Sequence, residues 1–334
     1  MGKRIEGVDI LRMLAMLLVM YQHANGPYSL YILAFHMPVF FIITGFTFTL
    51  SDSWKYIKVK DFIIKRAKVI LIANYSFILL NIILNALIST FTTQQFSISF
   101  KTLLLLGGND QGLLPMTFWF LPILFFADVF FLLALKNMGN VTYFTITSLL
   151  FSYILTKCAP FSTFLVSSNL SKIFMGTFFI GVGYLLSKPI RQLISGAYKP
   201  ITNIVVAFVS AIILVVFCNL NYSPFYMFMN SYGNYVYASI AALAGSTLLI
   251  SLVRFVPKIT FVNNLLSWGG RNTLSLFPIH VTYLAVIVFI EAKFNFQIPL
   301  LWLFNLTILS VLTFVTAKII EDHFPFMIGK KILK

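Results

Sequence analysis

Residues 4–23 read Arg4-Ile5-Glu6-Gly7-Val8-Asp9-Ile10-Leu11-Arg12, then Met13-Leu14-Ala15-Met16-Leu17-Leu18-Val19-Met20, then Tyr21-Gln22-His23. An apolar run opened by acid and base and closed by an imidazole predicts a membrane helix with a polar stripe. At 100° per residue, Asp9, Arg12 and His23 fall within roughly 60° of one another. Ionisable groups at membrane depth are costly, so they normally face the bundle interior and mark a pathway or a site. The alternative is a snorkelling Arg12 paired with Asp9, beside a histidine that only bridges helices.

The rest of the chain has the same character. Of its 334 residues, 59% are hydrophobic and only 10% charged, and mean hydropathy is +0.92. Soluble domains carry about 25% charged residues, so this composition predicts a polytopic membrane protein. Apolar stretches predict spans near 8–25, 30–50, 68–89, 118–135, 141–158, 170–187, 201–220, 232–253, 273–291 and 299–320. The expected fold is all-α, a transmembrane bundle of about ten helices, with residues 1–334 as one integral-membrane domain. The first helix lacks a small-residue cleavage site, so no cleaved signal peptide is expected.

The net charge of +15 is unevenly spread. With the N-terminus inside, the inner loops receive Lys3, Arg4, the cluster Lys55 to Lys68, Lys136, Lys188, Arg191, Lys199, Arg254, Lys258, Arg271 and Lys330 to Lys334. The outer loops hold little beyond Lys101, Lys157, Lys172 and Lys293. The positive-inside rule then predicts both termini in the cytoplasm. Topology and lipid contact account for most of these charges, and one cluster could also hold a phosphorylated ligand. Nucleic acid is not expected, because no basic soluble module presents a surface for it. Cys158 and Cys218 fall near outer helix ends, either as a pair or as isolated thiols, and neither has metal-ligand spacing.

Polar residues interrupt the helices at a few places. His36-Met37-Pro38 lies in the second span, at a depth resembling that of His23, so two imidazoles could share a site. Residues 55–68 read as an interfacial amphipathic helix leading to Arg66, whose planar fork suits phosphate. Asn74, Asn81 and Asn85 share a face of the third span, as interhelical glue or as a site lining. Trp119 opens the fourth span, as an interfacial anchor or as a platform for a sugar ring. Asp128 is a carboxylate deeper in that helix and requires a partner. Asn272 and Thr273 are positioned to cap the ninth span, and His280 follows about two turns in. Near the end, Glu321 stands one turn after Lys318, at ion-pair spacing.

In this order the motifs resemble the acyltransferase-3 membrane family. The similarity rests on Arg4-x4-Asp9-x2-Arg12, His23, His36-Met37-Pro38-x-Phe40-Phe41-x3-Gly45, Arg66, Trp119-Phe120-Leu121 and Gly270-Arg271-Asn272 with His280. The ending Glu321, Phe324-Pro325-Phe326-x2-Gly329-Lys330 is similar to members of the fucose 4-O-acetylase-like type. The resemblance implies an O-acetyltransferase of the bacterial cytoplasmic membrane. It implies acetyl-CoA as donor substrate, no metal, and a carbohydrate or glycolipid acceptor of the envelope. It also implies His23 as the essential histidine, supported by Asp9 and His36, with Arg12 and Arg66 toward acyl-CoA. Trp119, Asn272 and His280 are then expected toward the acceptor. Some members carry an extracytoplasmic esterase-like domain; with the chain ending at Lys334, a separate partner could take that role. Phe277-Pro278 departs from the tyrosine and small apolar residues commoner before the late histidine.

Elementary chemistry agrees with that expectation. Acyl transfer to a sugar hydroxyl needs a base near neutrality, which histidine supplies. His23 would either deprotonate the hydroxyl or carry the acyl group as an acyl-imidazole. The rival class is a flippase or exporter of a lipid-linked sugar or exopolysaccharide, since polar stripes also serve transport. Against it, no internal repeat pairs one half of the chain with the other. A receptor or scaffold would not require Arg and His on one helix face.

Overall fold

Long apolar runs in a membrane must satisfy their own backbone hydrogen bonds, and a helix does so within one segment. The computed structural model describes residues 5–90, 116–157, 165–223, 225–257, 259–294 and 300–330. Among the described residues there are helices, short 3₁₀ turns and one isolated bridge between Tyr226 and Ser231. The helices are α1 (Glu6–His23), α2 (Ser29–Leu33), α3 (Pro38–Phe48), α4 (Ser53–Tyr56), α5 (Val59–Thr90), α6 (Phe120–Asn137) and α7 (Val141–Lys157). They continue as α8 (Leu165–Leu185), α9 (Ser187–Ser195), α10 (Pro200–Leu220), α11 (Tyr235–Leu252), α12 (Thr260–Arg271), α13 (Thr273–Phe294) and α14 (Leu301–His323).

Each of the ten expected stretches carries a helix, but fewer meet the demands of a full crossing. Among the described residues six segments are long and apolar enough, one of them α2 and α3 together, or seven if α8 and α9, bent by 68°, form one span. For α1 the cause is physical: its first two turns hold Glu6, Asp9 and Arg12.

Local chemistry sets several boundaries differently from expectation. Pro38, inside the expected second span, takes the first position of α3, where a missing N–H costs nothing. The stretch 55–68 is not a separate interfacial helix either. It divides between α4 and the opening turns of α5, which runs on into the bundle.

The bundle is held by close helix contacts. In lipid, packing rather than water exclusion joins helices, so small residues sit where backbones approach. Gly45 of α3 faces the Ile180 carbonyl of α8, and Gly183 of α8 faces the Ile42 carbonyl of α3; a Cβ at either position would overlap that backbone. Gly270 of α12 meets the Asp9 backbone of α1 in the same way. Asn81 donates to the Thr282 hydroxyl of α13 at 2.7 Å, an interhelical bond worth about 0.6 kcal/mol in a membrane. Asn81 thus acts as glue, whereas both amide atoms of the fully buried Asn74 lack a partner; the Asn85 side chain lies outside the described residues. Apolar side chains of α10 such as Ile204, Phe208 and Ile212 face outward, as a lipid-facing helix requires.

Candidate functional site: two cavities along one helix

Helix α1 lies between two cavities. One, of about 170 Å³, is lined by Arg12, Arg66 and Arg271 with the hydroxyls of Thr44, Thr47 and Thr273. The other, of about 250 Å³, is lined by His23, His36, Trp119 and the Phe225 to Met229 loop. Each falls below the roughly 300 Å³ at which small-molecule pockets begin. We refer to them as the arginine cavity and the histidine cavity.

Phe277 lines both cavities and so partitions them. Its ring stands 4.6 Å from that of Phe120 and 5.9 Å from that of Phe40, which lie 5.6 Å from each other. Pro278 follows directly, and having no N–H it leaves the Leu274 carbonyl without its helical donor. Leu274 lines the arginine cavity, so the missing helical donor falls beside the partition.

The arginine cavity concentrates positive charge against fixed acids. Arg12 Nη1 lies 3.6 Å from Asp9 Oδ1, as the helical spacing predicts. Arg66 pairs with Asp128 of α6, which is fully buried; this supplies the partner that the sequence left unidentified. Arg271 joins them at the end of α12, held there by the Gly270 contact with α1. Three guanidinium groups form a donor set suited to phosphate oxygens, while the Thr44, Thr47 and Thr273 hydroxyls donate to the Phe40, Thr44 and Gly270 carbonyls.

Two imidazoles, His23 and His36, line the histidine cavity, and a third, His280, lies behind His23. His23 ends α1, and its ring centroid is 5.5 Å from that of His280, tilted by 39°. His36 Nδ1 donates to the Ile32 carbonyl at 2.9 Å, and His280 Nδ1 to the Leu276 carbonyl at 3.3 Å. Those bonds fix the tautomer, because a carbonyl accepts only from a protonated nitrogen. In the neutral ring the Nε2 is then a lone-pair acceptor, and that of His280 is buried without a partner.

Of the expected residues, His23, His36, Trp119 and His280 come together, and Arg12 and Arg66 come together at the other cavity. Two do not join the groups assigned to them. Asp9 is paired with Arg12 and lies about 21 Å from His23 by helical rise, so it cannot touch the imidazole. Asn272 is remote from the histidine cavity; its amide donates to the Trp268 carbonyl and its Oδ1 accepts from Lys330. Trp119 is no interfacial anchor, being buried at 4% exposure against Phe120.

Further residues escaped the sequence reading. Glu321 pairs with Lys330 rather than Lys318, which bonds Asp322 instead. Glu321 also accepts from Trp268 Nε1 at 2.8 Å, so the C-terminal turn locks against α12. Lys172, expected in an outer loop, is buried in α8 beside Trp119. Arg271 was read as a loop charge and as part of the Gly270-Arg271-Asn272 motif, but not as a residue of the donor site. A Cys158–Cys218 pairing and the 91–115 segment lie outside the described residues.

Comparison with known proteins adds one match. The acyltransferase-3 family model, described as "Acyltransferase domain", matches residues 5–319. No curated protein and no solved structure matches the chain.

Proposed function

The chain belongs to the acyltransferase-3 family of membrane proteins, and from that premise we propose that it moves an acyl group, acetyl in the simplest case, from acyl-CoA to a hydroxyl of an envelope or exported carbohydrate. The observation that carries this reading is that α1 presents Arg12 to one cavity and His23 to the other, with Phe277 between them. A donor that is polyanionic at one end and a thioester at the other fits that polarity. Its phosphates take the guanidinium groups of Arg12, Arg66 and Arg271. Its apolar arm passes the phenylalanine partition to bring the thioester to the imidazoles.

At the histidine cavity, Nε2 lone pairs accept protons. In direct transfer, His23 takes the proton of the acceptor hydroxyl as its oxygen bonds to the thioester carbon. The C–S bond then breaks, and the leaving thiolate regains a proton from the imidazolium. In the two-step form, His23 itself bonds the acyl carbon, releases the thiol and hands the acyl group to the hydroxyl. His280 stands behind His23, its ring centroid 5.5 Å away and its Nδ1 tied to the Leu276 carbonyl, so its Nε2 is the nearest acceptor for a proton shed by the His23 ring.

The positive-inside rule favours an orientation with the basic loops and the arginine cavity toward the cytoplasm of a bacterial plasma membrane, where acyl-CoA is available, and this supports the reading. The reading is tested by incubating purified protein with acetyl-labelled acetyl-CoA and envelope saccharides. Transfer or hydrolysis of the label that disappears in His23→Ala is the expected result. Movement of a lipid-linked sugar across vesicles with no acetyl consumed would replace this reading with that of a carrier.

A further inference from the structure

Lys172 has no part in the reaction above, yet its position is costly. It lies in α8 at 5% exposure, and among the described residues no carboxylate compensates its burial. Its ammonium stands 5.9 Å from the Trp119 ring centre and 5.7 Å from that of Phe228. Those two rings lie 6.5 Å apart, tilted by 46°, and both form walls of the histidine cavity. Ring quadrupoles attract a cation, but they offset only part of the cost of taking an ammonium out of water. A buried charge in a membrane helix that no structural pair explains marks a ligand path.

We propose that Lys172 docks an anionic group of the acceptor, so that the acceptors of this protein are acidic saccharides. This rests on the acyltransferase reading, and it names the substrate class of the same cavity. The sugar ring lies against Trp119 and Phe228, which face the cavity, while a carboxylate or phosphate on it meets the ammonium behind them. The opposite edge of the sugar then presents its hydroxyl toward His23. The anionic group has two chemical sources, a uronic-acid carboxylate within the glycan or the phosphate of a lipid-linked or phosphorylated sugar. The recognition chemistry is the same for both.

Equilibrium dialysis of the purified protein in detergent, without acetyl-CoA, tests the proposal. The probes are methyl β-glucuronide, glucose 1-phosphate and the neutral methyl β-glucoside. Wild type should bind at least one acidic probe about ten-fold more tightly than the glucoside, the worth of one charge-assisted hydrogen bond. The preferred probe identifies the carboxylate or the phosphate source. Lys172→Gln should abolish the preference, and Lys172→Arg should retain most of it.

Absence of any preference in wild type, or an unchanged preference in Lys172→Gln, would overturn the proposal. Lys172→Met supplies the second readout. Removing a buried charge should leave Tm unchanged or raise it, whereas a large fall in Tm would make the lysine structural and overturn the proposal as well. Acidic preference in a protein that transfers no acetyl group would count against the acyltransferase reading and not against the anion site.

Discussion

The imidazole of His280 stands 5.5 Å from that of His23, with its Nδ1 tied to the Leu276 carbonyl and its Nε2 buried without a partner. A histidine on α13 thus faces a histidine at the end of α1, each supplied by a different helix. His23 is at the cavity wall and is placed to meet substrate; His280 lies behind it. The two should therefore differ in kinetic signature. His23→Ala should lower the transfer rate by about 10² to 10⁴, the usual worth of a general base, at unchanged membrane abundance. His280→Gln should lower kcat by a smaller factor and leave KM for acetyl-CoA unchanged. Steady-state kinetics on purified protein checks both, and a His23→Ala enzyme within a few-fold of wild type would remove the catalytic assignment.

Arg66 has two partners to serve, and mutation separates them. Arg66→Ala leaves Asp128 as an unpaired buried carboxylate, which costs about 3–5 kcal/mol when a buried pair is broken. Adding Asp128→Asn should restore most of the stability, because the charge left behind is gone. Acetyl-CoA binding should stay weak in the double variant, since the guanidinium is still missing. Thermal unfolding and donor binding measured on the same preparations check this. Restored binding in the double variant would confine Arg66 to a structural role.

Arg12→Lys should recover only part of the donor affinity lost in Arg12→Ala. An ammonium carries the charge but cannot bond phosphate through two parallel N–H groups. Equal affinity in the lysine and wild-type proteins, by titration of purified protein, would show that charge alone matters there.

Gly270→Ala should be far more damaging than Gly139→Ala. A Cβ at Gly270 would overlap the Asp9 backbone, whereas nothing lies within 4 Å of one at Gly139. Forcing α12 off α1 should cost about 1–3 kcal/mol and displace Arg271 from Arg12. A fall in Tm accompanied by weaker donor binding is the expected pair of effects; a neutral substitution would mean the helices yield freely.

Phe277→Ala should open the partition between the cavities. Water then reaches the thioester more easily, so acetyl-CoA hydrolysis without acceptor should rise relative to transfer. The ratio of free acetate to acetylated acceptor reads this directly, and an unchanged ratio would show that Phe277 does not seal the passage.

How far the sequence could be read follows from where each partner lies. The Asp9–Arg12 pair and the shared face of Arg12 and His23 depend on helix periodicity alone, so both were legible. Each expected apolar stretch carries a helix because apolar runs are easily recognised, but the expected ten spans stand against six or seven candidates among the described residues. For α1 the difference is physical, since its charges lie within a run that otherwise reads as apolar. Arg66 with Asp128, and Glu321 with Lys330, pair across separate elements, and nothing local distinguishes Lys330 from Lys318 as the closer base. Trp119 and Lys172 were misread as surface residues. Trp119 stands just before α6 and Lys172 near the start of its predicted span, where tryptophan and lysine are common at interfaces, and only the packing of Trp119, Lys172 and Phe228 against one another turns them inward.

The central claim is that the donor enters at the arginine cavity and the acyl group leaves at the histidine cavity. The most direct measurement uses proteoliposomes of defined orientation, with acetyl-CoA supplied to one face at a time. Acetyl consumption should occur only when acetyl-CoA is present on the face bearing the basic loops and Arg12, and Arg12→Ala should weaken it there. Consumption of acetyl-CoA supplied only to the opposite face, where His23 lies, would contradict the account.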